Sequence, residues 1–153
     1  DTVVFSSTGE LKLNMKNKSI ETKFLSFASN FFIRLSSLIV KDGEGATKFI
    51  SIIWKNDKTE EDAKNISFSI ANSPLVNTAI LGEDPNWGRI LSAAGNTKHK
   101  FQAKNVSIKI GQIKVLNKGE IHKKYRESLG KKEFVDNLKN SHVLLSLSYL
   151  RLF

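Results

Sequence analysis

Glu44 stands between two glycines in the stretch KDGEGATK, residues 41–48. A carboxylate whose neighbours lack side chains can be approached closely, and the backbone there can adopt angles that a Cβ forbids. Such a group could bind an ammonium. A solvated glutamate in a glycine-flanked turn has the same pattern and is the plainer local reading. The second stretch is GEDPNWGRI, residues 82–90. There a helix start offers free backbone N–H groups, and Arg89, one turn in, carries a planar fork suited to a carboxylate. A purely structural assignment serves equally: Asp84 as helix cap, Pro85 as leading residue, Trp87 as packing anchor, and Arg89 paired with Glu83 or Asp84. The three histidines, His99, His122 and His142, are far apart and have no metal-ligand spacing. No Gly-x-Ser-x-Gly occurs, and neither GEGATK nor Gly130-Lys131-Lys132 completes a phosphate loop. No metal and no nucleotide are expected.

The elements that must position these residues follow from periodicity. Ile20, Phe24, Phe27, Phe31, Leu35 and Leu38 recur at spacings of three and four, predicting a helix of about twenty residues with one broad apolar stripe. Asp42-Gly43 ends it. Residues 46–54 (ATKFISIIW) are short, β-branched and aromatic, predicting a buried strand. Thr59 with Asp62 marks a helix start, and Glu60 and Glu61 lie where the helix dipole favours negative charge. Ser73-Pro74 opens a second helix closed by Gly82, and Asp84-Pro85 a third ended by Gly95. Beyond residue 100 the period becomes two. Val106, Ile108 and Ile110 share one face, and Ile113 and Val115 resume it after a slip at Gly111-Gln112, predicting a bulge or tight turn. Asn117-Lys118-Gly119 is a second turn, residues 131–140 suit a short helix, and the alternation of Leu145, Leu147 and Tyr149 suits a strand. The expected class is α+β, a mixed sheet packed with helices, in a single domain over residues 1–153.

Composition bounds the function. The chain has 153 residues and no cysteine, so neither a disulfide framework nor a thiolate is available. No run of about eighteen consecutive apolar residues and no signal peptide is evident, which predicts a soluble, cytoplasmic protein with no membrane partner. The net charge is +9, and residues 98–153 carry 13 basic against 4 acidic groups, whereas residues 1–97 balance at 11 each. A basic face attracts nucleic acid. Yet 20 of the 24 basic residues are lysine, and base recognition leans on arginine and interleaved aromatics. Solvated lysines are therefore the plainer reading. Two functions of different classes stand close on these grounds: an enzyme part that binds a small amino acid through Glu44 and Arg89, and a lysine-rich module for an acidic partner or nucleic acid.

Resemblance separates them. VKDGEGATKFI (residues 40–50), IANSPLVNTAILGEDPNWGRILSAAG (residues 70–95) and the opening Asp1-Thr2 resemble the β chain of the bifunctional glutamate N-acetyltransferase, also called ornithine acetyltransferase. The likeness covers roughly residues 1–120. It implies a DmpA/ornithine acetyltransferase-like fold, incomplete here at both ends, and an enzyme of arginine biosynthesis that moves an acetyl group from N-acetylornithine to glutamate. In that family the precursor cleaves itself before a threonine, which becomes the nucleophile and carries an acetyl-enzyme intermediate; a terminal amine can serve such a threonine as its base. Some members accept acetyl-coenzyme A as donor, and no other cofactor is implied.

By position, Glu44 matches the family glutamate that contacts substrate. GEDPNWGR supports the pocket and core, with Arg89 as a secondary site candidate. Thr2 is not the nucleophile, which is expected upstream of Asp1 together with the α chain and its oxyanion-hole residues. An α2β2 heterotetramer is implied, no nucleic acid is, and this chain alone is expected to be inactive. Residues 142–153 depart from the family pattern and read as a divergent or truncated tail.

Overall fold

The structure is a computed structural model that describes residues 4, 6–57, 59–84, 86–98, 101–127, 129–140 and 142–149. It divides at the Glu44-Gly45 peptide into two compact units, Asp1–Glu44 and Gly45–Phe153, where the sequence predicts one domain.

The first unit is dominated by α1, Lys18–Lys41. Asn17 caps it by accepting a bond from the Ser19 N–H, and Glu21 and Lys41 lie at the ends that the helix dipole favours. The predicted stripe is present, but none of its residues is buried. Phe27 is 70% exposed and Leu38 55%. Among the described residues, α1 alone is long and apolar enough to cross a membrane by length and composition, a test that core helices of soluble proteins also pass.

The second unit is a five-stranded sheet with helices. In chain order it comprises β1 (Phe49–Lys55), α2 (Glu60–Ala71), α3 (Pro74–Leu81), α4 (Trp87–Gly95), β2 (Val106–Ile110), β3 (Ile113–Asn117), β4 (Glu120–Ile121), α5 (Lys123–Arg126), α6 (Leu129–Leu138) and β5 (His142–Tyr149). The strand order is β1-β5-β2-β3-β4. β1 and β5 are parallel and the other pairs antiparallel, so the sheet is mixed.

Local chemistry explains most boundaries. The Thr59 hydroxyl accepts from the Asp62 N–H at 3.0 Å and Ser73 from the Val76 N–H at 3.4 Å, so α2 and α3 start where the caps predict. Gly111 takes φ +57° at the tight turn joining β2 to β3. Lys118 and Gly119 both take positive φ at the next turn, the geometry that matches the twist of paired strands. A register shift lies beside Ile108 and Lys109, so Val115 becomes an extra residue in β3 and both Val115 and Leu116 are buried.

Two expectations need correction. Asp84 does not cap α4: the cap position is Asn86, which makes no side-chain capping bond, and Pro85 lies outside the described residues. β1 begins at Phe49 rather than residue 46 and is an edge strand, so only Trp54 in it is buried. Tyr125, Leu138 and the inward residues of β2, β3 and β5 form one core with Ile66, Ile70, Val76, Ile80, Ile90 and Ala94, where α2 packs on β1 and α4, and α5 and α6 on β3.

Candidate functional site

Glu44 closes the first unit in the turn after α1, and its side chain is exposed. The following Gly45 has φ +70°. That backbone favours a glycine, because a left-handed conformation costs a residue with a Cβ about 1–2 kcal/mol. The space around Gly45 is otherwise open. The glycine after Glu44 is thus explained by conformation, not by crowding.

Within the second unit, Arg89 sits in the first turn of α4 and reaches back to α3. Its Nη1 donates to the Leu75 carbonyl at 3.3 Å and to the Thr78 hydroxyl at 3.4 Å, while Nη2 lies 3.8 Å from the Asp84 carboxylate. A guanidinium offers five N–H donors in a rigid fork, and here that fork ties two consecutive helices at their corner. Asp84 is the partner that the sequence offers as one of two for Arg89. Trp87 packs against the core as the expected anchor.

The other acidic residue at this corner, Glu83, pairs elsewhere. Its Oε1 lies 3.2 Å from Lys48 Nζ, and the Lys48 side chain is only 8% exposed. Lys48 Nζ also donates to the Leu138 carbonyl at the end of α6. The pair joins the last residue of KDGEGATK to the second residue of GEDPNWGRI across 35 positions. Sequence reading missed it; the only local signal is a glutamate directly after Gly82, where a helix exit prefers glycine.

His142 Nε2 lies 2.9 Å from Ser51 Oγ across the β1–β5 pair, and the His142 ring stands edge-on to Phe49. His122 is the cap residue of α5, and His99 lies outside the described residues. Among the described residues, no group of three or more His, Cys, Asp or Glu side chains could hold a metal ion.

Tyr125 on α5 is buried. Burial pushes its hydroxyl above the ordinary value of 10.0, and the negative charge of Asp84 adds to the rise. The folded state holds this proton more tightly than the unfolded chain. Its contribution to stability is therefore complete below pH 10 and is lost as the pH climbs through the folded value. Tyr125→Phe is expected to flatten the alkaline fall in stability, as urea midpoints between pH 8 and 11 would record. An identical alkaline slope in the variant would contradict the assignment.

Comparison with known proteins gives consistent results. The ArgJ family model matches residues 1–148, a span that includes α1 and most of β5. The arginine biosynthesis bifunctional protein ArgJ of Ruegeria pomeroyi is 39% identical over 127 residues, 83% of this chain and 30% of that protein. The glutamate N-acetyltransferase of Methanocaldococcus jannaschii is 50% identical over 80 residues, 52% of this chain and 20% of that protein. The crystal structure of ArgJ from Bacillus halodurans superposes with a TM-score of 0.76 at 30% identity, covering 84% of this chain and 58% of that one. The chain thus spans about 30% of the length of the Ruegeria relative, and its α+β architecture with a mixed sheet is similar to that of the crystallised protein.

Proposed function

This chain belongs to the ArgJ family, and from that premise we propose that it forms part of an acetyltransferase moving an acetyl group from N-acetylornithine to glutamate. In this reading a threonine upstream of the chain attacks the acetyl carbonyl, the C–N bond breaks, and ornithine leaves with its amino group restored. The amine of glutamate then attacks the acetyl ester, and the threonine hydroxyl is regenerated. Glu44 holds the amino group of ornithine or glutamate. Arg89 is a secondary candidate for a substrate carboxylate, given its committed contacts to Leu75, Thr78 and Asp84.

The observation that carries the reading is the family match across both long motifs, with Glu44 exposed beside a left-handed glycine. It favours the acetyltransferase over a lysine-rich binding module. The exposed apolar stripe of α1 fits a surface that the α chain of the same precursor would cover, in an α2β2 assembly. A cytoplasmic enzyme, with acetyl-coenzyme A as a further donor in some relatives, completes the proposal.

Glu44→Gln in the full-length protein tests it. A carboxylate–ammonium bond replaced by a neutral amide loses about 1.5–3 kcal/mol, so kcat/KM for N-acetylornithine is expected to fall about 10- to 150-fold. An unchanged kcat/KM would remove Glu44 from the site.

A further inference from the structure

We propose that the free edge of β1 is an interface between two copies of this chain: Phe49–Lys55 of each pairs antiparallel with the other, centred on Ile52, and joins the two sheets into one. The inference lies wholly within the second unit and does not depend on the role of Glu44.

Unpaired backbone comes first. β1 stands at one end of the strand order, with β5 as its neighbour. Among the described residues, those from Ile50 to Lys55 make no backbone hydrogen bond other than the ladder to β5. Alternate N–H and C=O groups of a strand point to opposite sides, so the outer edge of β1 offers a row of them to a further strand. The opposite edge of the sheet, β4, is only two residues long. Edge strands are ordinarily blunted by charge, proline, a bulge or shortness. β1 has little of that protection. It runs seven residues in unbroken register with β5, contains no proline, and carries its only charge on its last residue, Lys55.

Self-complementarity decides the occupant. A twofold interface pairs residue i with j and j with i. With Ile52 facing the same residue of the copy, Ile50 faces Trp54, Ser51 faces Ile53, and Phe49 faces Lys55. This is the register that pairs all seven residues. Directly opposed residues of antiparallel strands lie on one face. Ile50, Ile52 and Trp54, which pack with the core, therefore meet their counterparts on the core side and extend that core across the junction. Pairs of aromatic and β-branched residues are among those that stabilise a sheet. On the other face, the junction covers Ile53, an isoleucine that is 39% exposed in the single chain. The two Lys55 residues end about 20 Å apart, six residues at roughly 3.4 Å each. That is well beyond the roughly 8 Å over which exposed charges act in physiological salt, so the only charges in the two strands do not oppose the pairing.

Disulfide cross-linking of the full-length protein tests the interface, with any cysteines outside residues 1–153 replaced by serine; these residues contribute none. Directly opposed residues of antiparallel strands have Cα atoms about 4.5–5.5 Å apart, within disulfide reach. Ile52→Cys is therefore expected to give a covalent dimer under mild oxidation. Ile50→Cys sets its two Cα atoms about 14 Å apart, out of disulfide reach, and should give about tenfold less dimer. Adding Ser51→Lys and Ile53→Lys to Ile52→Cys opposes like charges at two places, and the dimer yield should fall about tenfold. Ser51→Lys with Ile53→Glu sets opposite charges at the same places and should restore it. Absence of a dimer from Ile52→Cys, equal yields from Ile50→Cys and Ile52→Cys, or equal losses in the two charge variants would each overturn the interface. Exchange protection of the β1 amides without an Ile52→Cys dimer would give the edge to a strand from another part of the full-length protein, and would overturn the pairing of copies as well.

Discussion

Gly119→Ala is expected to destabilise the fold by about 2–5 kcal/mol, the sum of a left-handed alanine and an overpacked contact. Gly119 has φ +78°, and a Cβ built on it would lie 2.3 Å from the Lys104 Cα and 3.0 Å from the Ala103 carbonyl oxygen. Those atoms are backbone and cannot swing away. The segment is further pinned by the Gly119 N–H bonded to the Val106 carbonyl at 2.9 Å and the Lys118 N–H bonded to the Ser107 hydroxyl at 3.0 Å. Relief would require breaking the turn between β3 and β4 or shifting the start of β2. Gly111→Ala offers a graded comparison. Its Cβ would meet the Asn137 side chain at 2.4 Å, but that is the end of a movable side chain, so the left-handed backbone at φ +57° should dominate, at about 1–2 kcal/mol. Urea unfolding should therefore rank wild type, Gly111→Ala and Gly119→Ala in descending midpoint with unchanged slope. A Gly119→Ala midpoint equal to wild type would show that the turn does not hold the described geometry.

The contrast between these glycines and the helix caps shows what a sequence can reveal. Thr59 and Ser73 were readable because a cap concerns its own side chain and an N–H three residues on. The alternation in β2 and β5 was readable because a sheet face repeats every two residues. Asp84 was misread because its N–H closes α3 through the Ala79 carbonyl. It therefore belongs to the end of one helix rather than the start of the next, and Asn86 takes the cap position. The stripe on α1 was legible as a pattern, but a pattern does not say what covers it, and none of its residues is buried here. Strand order was not legible at all: β1 pairs with β5 although some ninety residues separate them, and such pairings leave no local trace. The Lys48–Glu83 bond escaped for the same reason. Of the candidate site, Glu44 and Arg89 could be named from neighbouring residue types. The partner that holds Lys48 could be found only once the fold had brought two distant motifs together.

That non-local pairing makes the last strand decisive. β5 lies between β1 and β2, and Val143, Leu145 and Leu147 are buried at 2%, 0% and 0% exposure. Trp54, Leu147 and Ile108 form one row across three strands, all buried. Leu147→Ala removes side-chain volume from the middle of that row, where neighbours held by ladders on both sides collapse poorly into the gap. A loss of about 3–5 kcal/mol is expected, at the upper end for such truncations. Ser146→Ala, one residue earlier on the opposite face, should change stability by no more than about 0.5 kcal/mol. Ser148, on that same face, pairs in register with Lys55 on one side and Ser107 on the other, so Ser148→Ala should behave like Ser146→Ala. The residues from 142 onward were expected to diverge from the family pattern, yet their alternation supplies an interior strand of the sheet and the neighbour on which the edge strand β1 depends. Denaturant titration of the three variants separates the two faces. A Leu147→Ala stability within about 0.5 kcal/mol of wild type would mean that β5 does not lie buried between β1 and β2.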